Sequence, residues 1–126
     1  MTTKNLVPKL KKAGQHWLNK FGLKDKELEI VFAPLAKDVG GTFELYYNNK
    51  KIPHVAYPTL HRDSFTKIKV IINTECATDL RAVLWVLLHE IIHVACPKYT
   101  YNNEWTDSKV EKIILAEKKK LRSSKV

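Results

Sequence analysis

The chain has 126 residues, 44% apolar and 28% charged, and its 22 Lys and Arg against 13 Asp and Glu give a formal charge of +9. These values fit one globular domain over residues 1–126 and exclude a disordered chain. No apolar run approaches the roughly 20 residues of a membrane span, and two cysteines, Cys76 and Cys96, are too few for a disulfide framework.

The first residues run into Lys9, Lys11 and Lys12 rather than into an apolar signal core, so the expected location is the cytoplasm. Both cysteines are then expected to be reduced, as small core residues. Residues from about Leu6 to Phe21 read as an amphipathic helix. Leu10, Ala13, Trp17, Leu18 and Phe21 share one face, Pro8 suits the first turn and Gly22 is a natural stop. A strand is expected over Leu28–Ala33, ended by Pro34. Asp38-Val39-Gly40-Gly41 marks a turn, and Thr42–Tyr47 has strand composition. Asn48-Asn49-Lys50-Lys51 signals another turn. Ile52–Ser64, with Pro53 and Pro58, reads as irregular or as an edge strand. Ile68–Asn73 is the clearest strand.

A second helix is expected from a Thr78 or Asp79 cap through Ala95, ended by Pro97. Apolar residues cover nearly its whole circumference, which predicts a buried central helix. A last helix begins near Thr106 and carries Val110, Ile113, Ile114 and Leu121 on one face. The fold class is therefore α+β: an N-terminal helix, a small mixed sheet of about three strands, a central helix and a C-terminal helix.

The central helix contains His89-Glu90-Ile91-Ile92-His93. Histidines four residues apart project from one side of a helix, so both imidazoles can reach one zinc ion. Glu90 is turned about 100° from His89, close enough to touch a zinc-bound water without ligating the metal. Zinc acidifies that water and polarises a carbonyl, and the glutamate handles the proton. Chance occurrences of the pattern exist, but here three polar residues interrupt an apolar segment, and an idle buried carboxylate is costly. The competing reading is a hydrogen-bonded pair of core histidines with Glu90 as partner.

A catalytic zinc needs a third protein ligand. No histidine follows His93, and the upstream ones are His16, His54 and His61. A downstream acid is simpler. Asp107, on the buried stripe with Val110, is the first candidate, Glu104 is the alternative, and Glu111 sits at the stripe's edge. Acids there also suit a helix start, and Ser108 with Glu111 could form a capping box. Tyr99 and Tyr101 could donate to an oxyanion or simply pack near the surface. His54 and His61 read as solvent-facing.

The motif resembles the small zincin metallopeptidases, the SprT-like domain and related compact gluzincins of bacteria and their phages. The resemblance rests on the opening helix, Gly40-Gly41-Thr42 leading into a strand, a strand ending in Asn73, and Leu88–His93. It implies a zincin fold in the cytoplasm of a bacterium or phage-infected host, with substrate added as a strand along the sheet edge. SprT-like members supply a downstream histidine ligand, and many carry a four-cysteine zinc ribbon. This chain has neither, so it departs toward a site completed by an acid. The expected function is zinc-dependent hydrolysis of a protein or peptide substrate. The alternatives are a nucleic-acid-associated protein using its basic surface, and a catalytically idle zinc-binding module.

Overall fold

Helix α1 (Thr3–Lys20) is followed by strands β1 (Glu27–Ala33), β2 (Gly41–Tyr47), β3 (Lys50–Lys51) and β4 (Lys67–Asn73), and then by helix α2 (Leu80–Ala95). The computed structural model describes residues 3–95, 108–113 and 115–116, and residues 108–113 form a further helical segment, α3. The architecture is the expected α+β, with four strands rather than about three. The extra strand is β3. Asn48 and Asn49 both take positive φ, 49° and 71°, as a two-residue hairpin turn requires. That shortens the turn and leaves Lys50 and Lys51 to pair with Tyr47 and Tyr46.

The stretch after β3 forms two short 3-10 helices, His54–Thr59 and Arg62–Ser64, rather than an edge strand. Pro53 has no amide hydrogen with which to continue a ladder. Helix α1 also differs from expectation. It starts at Thr3, so Pro8 lies inside the helix and not in its first turn. Proline at that position removes only one ladder bond, and burial of Leu6 and Leu10 holds the extra turn on the core. At its other end Gly22 has φ 77°. Leu23 N donates to Leu18 O at 2.7 Å and Gly22 N to Asn19 O at 3.2 Å, the two bonds of a Schellman stop.

The sheet order is β1-β4-β2-β3. Strand β4 runs parallel to β1 and antiparallel to β2. Its Ile68, Val70 and Ile72 are fully buried and meet Leu28 and Ile30 of β1 and Phe43 and Leu45 of β2 on the face covered by α1 and α2. The opposite face carries a cross-strand ladder of charge. Lys67 pairs with Glu29, and Glu44 with Lys51 at 2.8 Å and Lys69 at 4.0 Å. The Lys51 hydrogen bond holds the Glu44 carboxyl below the usual carboxylate range. Among the described residues no helix is long and apolar enough to cross a membrane.

Buried polar groups pin the loops. Lys26 Nζ donates to Phe65 O at 2.8 Å and lies 4.8 Å from the Phe65 ring centroid. Asn73, 1% exposed, ends β4. Its Oδ1 accepts from Leu35 N (3.4 Å) and Glu75 N (3.1 Å), while Nδ2 donates to Ala36 O (3.4 Å) and Val39 O (2.8 Å). The loop between β1 and β2 is thus tied to the segment leading into α2. Asn73→Ala leaves these backbone groups without that partner and should cost about 2–3 kcal/mol of stability, read as a lower urea midpoint at unchanged slope.

Candidate metal centre

Helix α2 begins after Asp79, whose Oδ1 accepts from Ala82 N at 2.8 Å, the N-cap bond expected there. Val83, Leu87, Leu88, Ile91, Ile92 and Val94 are all buried, which makes α2 the central helix that its composition predicts. Into this apolar surround it carries His89, half-buried, and Glu90 and His93, each 6% exposed. Burying a carboxylate beside two imidazoles is unfavourable unless the three groups serve one another or a ligand.

They do converge. One ligand atom from each of His89, Glu90 and His93 lies within 4.8 Å of the other two, and among the described residues no other such group of three or more occurs. The imidazole centroids are 4.6 Å apart, with the rings nearly perpendicular at 82°. Glu90 Oε2 stands 3.1 Å from His89 Nδ1. The quarter-turn between their Cα atoms is therefore offset by the glutamate side chain, which folds back toward the histidine. An ionised carboxylate can only accept, so in that state the shared proton sits on Nδ1 and the His89 lone pair is on Nε2. Two imidazoles and a carboxylate form a donor set suited to a borderline divalent cation. His89, Glu90 and His93 could hold a metal ion.

The surround of the group comes from α2, α3, β2 and the stretch between β3 and β4. Trp85, one turn before His89, stacks on its ring at 5.1 Å and 15°. The Trp85 Nε1 donates to Glu111 Oε1 of α3 at 2.8 Å. Phe43 of β2 lies over His93 at 6.5 Å and 22°, and stacks on Tyr57 at 5.3 Å. Phe43, Leu45, Tyr57, Leu60 and Phe65 form an apolar recess against His93. Burial pushes the Tyr57 phenol up, so it stays protonated, and its oxygen accepts from Leu45 N at 2.9 Å.

Strand β2 reaches this site because residue 41 is glycine. The position has extended backbone, so the requirement is for space and not for a special φ. A Cβ there would lie 2.6 Å from Val86 Cγ1, 3.0 Å from Ile71 O and 3.6 Å from Glu90 Cγ. Glycine within a strand marks such a close approach.

Of the sequence-predicted residues, His89, Glu90 and His93 are brought together. His16, His54 and His61 are exposed and stand outside the group. Glu111 accepts a hydrogen bond from Trp85 Nε1. Asp107, Glu104, Tyr99, Tyr101, Cys96 and Pro97 lie outside the described residues, as do Ile114, Leu121 and the side chain of Cys76. Sequence reasoning missed Trp85, Phe43 and Tyr57, and reads Gly41 only as part of the turn into β2 and not as a site residue. Only Trp85 had a usable signal, its spacing of four from His89, which puts both on one helix face.

Comparison of the chain with family models, curated proteins and solved structures finds no match. The donor set yields a direct expectation. The purified chain should bind about one divalent metal ion with its two imidazoles, and His93→Ala should lose most of that capacity in elemental analysis while remaining folded by circular dichroism.

Proposed function

We propose that the chain is a zinc-dependent peptidase. The observation that carries this reading is the convergence of His89, Glu90 and His93, which bring one ligand atom each within 4.8 Å of one another on the buried helix α2. When bound, zinc supplies Lewis acidity toward a peptide carbonyl and toward water. His89 and His93 would hold it, and Glu90 would take a proton from the attacking water and return it to the leaving amine. Burial strengthens each of these electrostatic interactions, since little water screens the carboxylate.

The edge of β2 supports a peptide as substrate. Leu45 directs its N–H to the Tyr57 hydroxyl and its C=O to Ile52 N, away from β4. Alternation along the strand turns the N–H and C=O groups of Gly41 and Phe43 the same way. No strand among the described residues pairs with that side of residues 41–44. The residues that carry those groups pack on Glu90 and His93, and along their open edge an extended chain could add as a further strand.

A three-ligand site needs one more donor, and we assign it to Asp107, with Glu104 as the alternative. Substituting each with Ala and titrating zinc should show one variant much weaker than the other. Equal, parent-like affinity in both would move the search to Glu90 itself, whose carboxylate already stands with the two imidazoles.

A second reading draws on α1, which contains no acidic residue. Its Lys9, Lys12, His16 and Lys20 are exposed and fall on one stripe about 17 Å long by helical geometry, suited to a nucleic-acid backbone. Binding to a DNA duplex that weakens steeply with salt would favour that reading, alone or joined to proteolysis.

Glu90→Gln separates the enzyme from an idle module that binds metal. The substitution keeps the size and the hydrogen-bonding shape, so the fold and zinc content should be nearly unchanged. Cleavage of an unfolded protein such as casein should fall by at least about 100-fold. Activity that survives would exclude Glu90 as the base, and a zinc-loaded parent that cuts nothing would favour the binding module.

A further inference from the structure

The indole of Trp85 covers one face of His89. Its centroid is 5.1 Å from that of the imidazole and the planes differ by only 15°. Four residues apart on α2, the two side chains share a helix face, but spacing alone does not make two rings lie parallel. The Trp85 ring plane is held from outside the helix. Its Nε1 donates to Glu111 Oε1 at 2.8 Å, across a sequence separation of 26 residues. An indole N–H donates in one direction only, in the plane of the ring. A carboxylate anchored on another helix therefore fixes the rotation of that plane.

The remaining contacts complete the geometry. Glu90 Oε2 meets His89 at the ring edge, through Nδ1. Trp85 meets it on the face, and the His93 ring stands 4.6 Å away nearly perpendicular to it. Face and edge together leave the imidazole little rotational freedom. Glu111 is exposed and Val110 beside it is buried. The backbone of α3 is thus held by the core, while the carboxylate reaches outward to the indole. The hydrogen bond that the half-buried indole donates to this carboxylate is charge-assisted.

We propose that Trp85 and Glu111 are positioning residues for His89: the Glu111 carboxylate orients the indole, and the indole orients the imidazole as a metal ligand. The proposal rests on the metal-centre reading above. It also makes α3 part of the site, because ligand orientation on α2 depends on a carboxylate of α3. Groups that touch a metal ligand, as Trp85 touches His89, commonly contribute 10–100-fold to metal affinity, and Glu111 acts through that contact.

Two variants of Glu111 test this. Glu111→Ala removes the acceptor at an exposed position. Glu111→Gln retains an oxygen that can accept from the indole. Zinc affinity is measured by competition with a chromophoric chelator, at a temperature where circular dichroism shows all proteins folded. We expect Glu111→Ala to bind zinc at least about tenfold more weakly, and Glu111→Gln to stay within about threefold of the parent. Parent-like affinity in Glu111→Ala would overturn the proposal. A second readout needs no metal. Stacking on an indole shifts the carbon-bound ring protons of His89 upfield in the NMR spectrum. That shift should be present in the metal-free parent and in Glu111→Gln, and largely lost in Glu111→Ala. An unchanged shift in Glu111→Ala would leave Glu111 a mere tether of α3, even if zinc affinity fell. A parent that binds no zinc would remove the metal centre itself, and the ring-proton shift would then decide whether the pair orients His89.

Discussion

The close seating of α2 on β2 at Gly41 is the contact on which the candidate site depends. With no side chain at that position, the β2 backbone comes within reach of Val86 and Glu90, which are one turn apart on the helix. A methyl group would meet Val86 at 2.6 Å and the Ile71 carbonyl oxygen at 3.0 Å. The valine could turn aside, but the carbonyl belongs to the central strand and cannot move without the sheet. The same approach lets Phe43, two residues along, lie over His93. Strand interiors give up roughly 0.5–1 kcal/mol for glycine relative to alanine. Here the return is a carboxylate and an imidazole walled by sheet backbone and an aromatic ring.

That seating is prepared upstream. Asn73 ends β4 and binds the backbone at Leu35, Ala36, Val39 and Glu75 through one side chain. Its own amide donates to Gly40 O at 2.8 Å, immediately before Gly41. One buried residue therefore sets where β2 begins and how the chain turns toward α2. A helix as apolar as α2 would bury itself in many orientations, because burial has no direction. Hydrogen bonds have direction, and the Asn73 set supplies it.

Much of this was legible in the sequence because the signals were periodic. Ile68–Asn73 stands out in the sequence as the clearest strand, and the apolar circumference of Leu80–Ala95 identifies the central helix. His89 and His93 were legible for the same reason, as a fixed spacing on a helix. What escaped was non-local or depended on a single residue. Nothing in Asn48-Asn49 alone decides between a four-residue turn and a two-residue turn that frees Lys50 and Lys51. Pro8 lies one turn deeper in its helix than the sequence predicts because burial of Leu6, a tertiary effect, extends α1 toward Thr3. The position of Glu90 was read from the angle between Cα atoms, whereas a glutamate has enough rotatable bonds to fold back on its neighbour. Gly41, Phe43 and Tyr57 become site residues only when the sheet meets the helix.

The site's protections are asymmetric. His93, deeper in the helix packing, is covered by Phe43 from the sheet, an element rigid because β2 is paired to β4 along most of its length. His89 is more exposed, and its cover comes from Trp85 and, through it, from Glu111 on a different helix. An imidazole near the surface has more rotational freedom to lose than a buried one, so it needs directional partners where the other is held by packing. Glu90 lies between these regimes, with its stem against Gly41 and its carboxylate on His89. The group it shares with the two histidines is thereby tied at one end to the sheet and at the other to α3. A chain that needed α2 only as a core helix would require neither attachment.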